Sequence, residues 1–189
     1  WFKSQWPQTS PQATGLVVLL LLSPFALFGK FADDPTVQAV RVRAREADKG
    51  VGALAEWFKQ TDPEGTKVTL LPGVPQLPAL TPVNQFIYYN QHNSHPAARW
   101  SERFLVLEEM ARAKTPAQLA AVASSTYFGA IDRIVCYNTA TTTCPLYFYV
   151  DNFPNQGADK MVSLPVKALT APYWQKVYES SQFIVFERR

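Results

Sequence analysis

Apolar residues are arranged along this chain in three different ways. Residues 15–29 read GLVVLLLLSPFALFG, an apolar run with no charge between Lys3 and Lys30. Val37, Val40, Ala44, Ala47, Val51, Leu54 and Phe58 then recur at alternating steps of three and four, which predicts an amphipathic helix over roughly 35–60. Asp33-Asp34-Pro35 supplies its start: an acid, a cap and proline at the first helical position. Gly50 and Gly52 weaken the pattern and suggest close approach of another backbone segment. From Gly129 onward the period is strand-like.

Thr61-Asp62-Pro63-Glu64-Gly65 ends the first helix as a turn, and Lys67–Leu71 follows as a short strand. Residues 72–82 hold four prolines and read as an extended surface loop. Phe86–Tyr89 is a strand or a pocket wall. Ala97, Trp100, Phe104, Leu107 and Ala111 form the buried face of a second helix. Thr115-Pro116-Ala117-Gln118 is a capping box opening a third helix to about Ala123. Ile131–Tyr137, Leu146–Asp151, Lys160–Leu164 and Phe183–Glu187 are strand candidates rich in Val, Ile, Phe and Tyr. Asn155-Gln156-Gly157 reads as a turn and Lys167–Tyr173 as a small helix. The order predicts an α/β domain in two or three layers. Its mixed sheet is flanked by helices, parallel at first and antiparallel toward the end.

The run at 15–29 divides the chain into 1–30, an interfacial segment with a last transmembrane helix, and 31–189, an extracytoplasmic α/β domain. The run is short beside the roughly 20 residues that a span requires, and Pro24 would kink it. Trp1, Phe2 and Trp6 precede it as interfacial aromatics do. A signal peptide and a buried core helix are the competing readings. The chain begins at Trp1, not Met, so we expect sequence upstream. One Lys on each side gives no orientation by the positive-inside rule.

Lys3 and Lys30 account for two of the three net positive charges, which leaves the part from residue 31 nearly neutral. Basic residues are not clustered beyond Arg188-Arg189 and the mixed RVRAR of the first helix, so no nucleic-acid partner is expected. The only cysteines, Cys136 and Cys144, flank YNTATTT. That spacing suits a disulfide across a hairpin and lacks the four ligands of a structural zinc site. Two free thiols are the alternative. A bridge would put the domain on the oxidising side of a membrane.

The most polar stretch, Asn90-Gln91-His92-Asn93-Ser94-His95-Pro96, follows Tyr88-Tyr89. Amides and imidazoles beside aromatic rings suit sugar hydroxyls and ring stacking. Tyr88, Asn90, His92, Asn93, His95 and Arg99 are the candidate substrate-binding residues. The same stretch also reads as a helix start, with Ser94 as cap and Pro96 in the first turn. His92 and His95 lack a third ligand at a fixed spacing, so no metal is expected. Arg99 and Arg103 are expected one turn apart on the outer side of the second helix, with Glu102 between them. They could meet phosphate or carboxylate, or form surface ion pairs. Asp132 and the polar turn of Asp151, Asn152 and Asn155 are weaker candidates that turn chemistry explains as well. GxSxG, phosphate-loop, GxGxxG and HExxH signatures are absent, and no catalytic residue is identified.

Four segments carry a resemblance: QHNSHPAARWSERFLVLEEMA, YFGAIDRIVCY, LYFYVDNFPNQGADKMVSLP and YWQKVYESSQFIVFERR. Together they resemble the C-terminal extracytoplasmic domain of actinobacterial galactan 5-O-arabinofuranosyltransferases over about 84–189, and more loosely over 31–83. Two departures are Ala130, where proline is expected, and the cysteine pair. The resemblance implies a preceding GT-C membrane body with many spans. That body would take arabinofuranose from a decaprenyl-phosphate donor and place it on cell-wall galactan. It implies no cofactor on this segment, and catalytic residues outside it. Its partners would be the glycan acceptor, the lipid-linked donor and the membrane. Localisation would be the cell membrane, with 31–189 on the extracytoplasmic side and this domain helping to hold the acceptor. The closing strand also resembles those of other GT-C transferases that use polyprenyl-phosphate sugars. A single-span anchored carbohydrate-binding or sensor module without catalysis is the rival function, and a secreted hydrolase a weaker one.

Overall fold

The computed structural model describes residues 34–189 except 72, 73, 75, 140 and 151–157, with backbone alone at 40, 41, 43–49, 158 and 159. Contacts divide the chain into two units, 1–47 and 48–189. The apolar run at 15–29 lies outside the described residues, as does the turn of Asp151, Asn152, Asn155, Gln156 and Gly157. Among the described residues no helix is long and apolar enough to cross a membrane.

Helix α1 (Pro35–Thr61) begins as the sequence predicts. Asp34 Oδ1 accepts from Thr36 N at 2.7 Å and Val37 N at 3.2 Å, which satisfies two orphan donors of the first turn. Its later turns bury Val51, Leu54, Ala55 and Phe58. A Cβ on Gly50 would meet the Gln182 side chain, whereas Gly52 faces open space. The close approach expected at both glycines is therefore found at one, and with a side chain instead of backbone. The turn after α1 needs Gly65, at φ +62, and a Cβ there would lie 2.9 Å from the Pro82 carbonyl carbon.

Strands β1 (Val68–Leu70), β2 (Asn84–Gln85), β3 (Arg133–Tyr137), β6 (Trp174–Glu179) and β7 (Phe183–Arg188) form one sheet in the order β2-β1-β3-β7-β6. β1 pairs in parallel with β2 and β3, and β7 pairs antiparallel with β3 and β6. The mixed sheet thus changes from parallel to antiparallel along its width, as expected. Both faces of β3 are covered, so Arg133, Ile134, Val135 and Cys136 are all buried. Ile134 and Cys136 join one apolar cluster with α3 (Trp100–Arg112), α4 (Pro116–Ser124) and the hairpin of β4 (Thr143–Val150) and β5 (Ala158–Pro165). Val135 turns to the other face, with Phe183, Val185 and the α1 residues Leu54 and Phe58.

Four expectations are corrected. The proline-rich loop contains helix α2 (Leu77–Leu80), pinned by buried Val74 and Leu77. The helix expected at Lys167–Tyr173 is a single 3-10 turn, Val166–Ala168, followed by β6. On α3, Met110 takes the buried position given to Ala111, while Ala97 lies in the preceding 3-10 turn and is exposed. Cys136 and Cys144 form the disulfide, but it joins β3 of the large sheet to β4 of the small one and does not close a hairpin.

Candidate functional site

The polar stretch folds as a bridge between the large sheet and α3. Gln91 N donates to Tyr149 O at 2.9 Å and Tyr149 N donates to Tyr89 O at 2.8 Å, fastening the stretch to β4. Within it, Ser94 Oγ donates to Asn90 O at 3.0 Å and Asn93 N donates to Asn90 Oδ1 at 3.4 Å. Asn90 is thus committed to shaping the loop. His95, and not Ser94, caps the 3-10 turn Pro96–Ala98: its Nδ1 accepts from Ala97 N at 3.1 Å. This bond leaves the proton of a neutral His95 on Nε2.

Two adjoining hollows open beside this bridge. The first, about 310 Å³, is bordered by Tyr88, Asn93, His95, Trp100 and Arg103, among others. The second, about 350 Å³, is bordered by Gln91, His95, Arg99, Ser101 and Glu102, among others. Trp100 Nε1 donates to Tyr88 O at 2.7 Å, so the indole holds the wall of the first hollow while its ring stacks on Phe104. The Tyr88 and Tyr89 rings lie 4.8 Å apart between centroids. Burial and a side-chain hydrogen bond shared with Tyr89 push the Tyr88 phenol up. In the second hollow Gln91 Oε1 is buried without a hydrogen-bond partner among the described residues.

The structure gathers Tyr88, Asn93, His95 and Arg99 around these hollows. Asn90 and His92 do not line them. Arg99 is not on the outer side of α3; it is the residue before it, at φ 51, a left-handed conformation costing about 1 kcal/mol for a non-glycine residue. Its Nε donates to Glu102 Oε1 at 2.7 Å, and its guanidinium lies 4.9 Å from the Tyr127 ring centroid. The hydrogen bond to Glu102 leads the effects that raise its pKa.

Arg103 is the residue most misplaced by sequence reasoning. Instead of facing outward it is half-buried, donating from Nε to Ala98 O at 2.8 Å and from Nη1 to Phe86 O at 2.7 Å. It stacks 4.3 Å from the Phe128 ring centroid. The signal was its spacing: 103 is three after Trp100 and four before Leu107, at the border of the apolar stripe. Tyr127, 84% exposed, is an aromatic face the sequence reading passed over. Asp132 is structural: it accepts from Val68 N at 3.0 Å and Arg188 Nη2 at 2.9 Å.

Among the described residues no three His, Cys, Asp or Glu side chains converge as a metal site requires. The arrangement offers hydrogen-bond donors, amide groups and ring faces, the means to bind and orient a polar ligand. The sequence matches no family model and has no significant match among curated proteins.

Proposed function

We propose that this domain is the extracytoplasmic C-terminal part of a membrane glycosyltransferase that uses a polyprenyl-phosphate sugar. The reaction is arabinofuranosyl transfer to cell-wall galactan, and this domain holds the acceptor glycan. Catalysis belongs to a membrane body beyond this sequence. The observation that carries the reading is the first hollow. Tyr88, Asn93 and His95 converge there beside an indole wall, a mixture that suits sugar hydroxyls and an apolar ring face. The Cys136–Cys144 disulfide supports an oxidising compartment. The arabinose and galactan assignments rest on the segment resemblance.

The test is titration of the full chain, in a detergent without sugar headgroups, with neutral galactan fragments followed by NMR. The expected result is chemical-shift change centred on Tyr88, Asn93 and His95. No change there at millimolar fragment would overturn the acceptor role.

A further inference from the structure

The charge of the first hollow is unbalanced. Arg103 brings a guanidinium to its wall, and neither Asp nor Glu is among the residues bordering it. Among the described residues no carboxylate lies within ion-pair distance of Arg103. Arg99 shows the contrast four residues earlier, where Glu102 neutralises it. Two backbone carbonyls and the Phe128 ring stabilise the Arg103 cation, but two hydrogen bonds use only two of five N–H donors. A partly buried guanidinium with unused donors and no carboxylate partner is suited to receive an anion.

We propose that this hollow takes an oxyanion, a phosphate or carboxylate group, with Arg103 as counter-charge and the His95 Nε2–H and Asn93 amide as donors. The inference rests on the reading of the hollow as a ligand site and specifies the chemistry of what enters it. Guanidinium matches the planar fork of a carboxylate or two oxygens of a phosphate. His95 is suited to donate because its Nδ1 is occupied by Ala97 N. Burial pushes the Arg103 pKa down.

The experiment titrates the full chain, in a detergent without sugar headgroups, separately with inorganic phosphate, galacturonate and a neutral galactan fragment. NMR shifts are followed at His95, Asn93 and the Arg103 side chain. Either anion should shift these resonances, and the tighter of the two identifies the source as phosphate or carboxylate. Because Arg103 also pins two carbonyls, the decisive variant is Asn93→Asp. It sets an acid in the hollow and keeps the Asn93 N to Asn90 bond. Anion affinity should fall at least tenfold, and by a larger factor than galactan affinity. Galactan shifts without anion shifts would overturn this inference and leave the acceptor reading standing. Anion shifts without galactan shifts would support the inference and overturn that reading. Unchanged anion affinity in Asn93→Asp would sink the inference.

Discussion

Arg133 on β3 and Glu187 on β7 are register partners, and Arg133 Nε donates to Glu187 Oε2 at 2.8 Å. Arg133 is 1% exposed, with Asp62 Oδ2 3.5 Å from its Nη1 and the Trp57 ring centroid 5.0 Å from its Cζ. Lys67 Nζ donates to the other Glu187 oxygen at 2.7 Å. These residues tie the turn after α1 to the sheet.

Replacing Glu187 with Gln removes the carboxylate that accepts from the buried Arg133 cation. The expected loss is about 3 kcal/mol, within the range for breaking a buried pair. Arg133→Met should cost less. Asp62 would keep its bonds from Thr66 N, Thr66 Oγ1 and Lys67 N, and Glu187 would keep Lys67. Urea midpoints rank the two; a milder effect for Glu187→Gln than for Arg133→Met would refute this account.

The same cluster sets an acid sensitivity. Burial alone would raise the Glu187 carboxyl, but the hydrogen bonds and charges of Lys67 and Arg133 outweigh it and hold it below its usual 4.5. Asp62 is likewise held below 3.8: burial opposes, and the bonds from Lys67 N, Thr66 and the Arg133 charge prevail. Because the folded values are lowered, the unfolded chain binds more protons as pH falls. The stabilisation is complete above about pH 5 and is lost as pH drops through the folded values. Unfolding midpoints measured from pH 7 to pH 3 should be flat and then decline. The decline should be shallower in Glu187→Gln.

Reduction of the Cys136–Cys144 bridge should destabilise the domain by about 2.5 kcal/mol in the chain-entropy model. The sequence separation is only 8, but the bridge joins strands of different sheets. Loss of sheet-to-sheet attachment should also expose amides of β4 first. Hydrogen exchange with and without reductant reads this, and equal protection in both states would contradict it.

These features differ in how far residues announce them. β3 was plain because RIVCY is a short apolar run, and a strand covered on both faces needs no alternation. The Asp34 and Thr115 caps were plain because capping depends on neighbours in sequence: Thr115 Oγ1 accepts from Gln118 N at 3.2 Å. β6 was hidden because Gln175 and Lys176 sit exposed on an edge strand next to buried Trp174, so its pattern is neither alternating nor apolar. The cross-sheet path of the disulfide and the inward turn of Arg103 depend on partners far away in sequence, beyond any local pattern. In the candidate site, the polar stretch stands out in the sequence as a block. Which of its amides faces the hollow was decided by the loop's own hydrogen bonds.

That division between shaping and lining residues can be tested directly. Asn93 is exposed, and its side chain borders the first hollow. Asn93→Ala should leave the urea midpoint unchanged and weaken galactan binding about three- to tenfold, the worth of one hydrogen bond of roughly 0.5–1.5 kcal/mol. Asn90 lines neither hollow, yet its side chain accepts from Asn93 N. Asn90→Ala should therefore lower stability by about 1 kcal/mol and weaken binding only through a loosened loop. Galactan titrations and urea unfolding of both variants separate the roles. If Asn90→Ala weakens binding more than Asn93→Ala at unchanged stability, then Asn90 contacts ligand itself and the hollow has been drawn around the wrong amide.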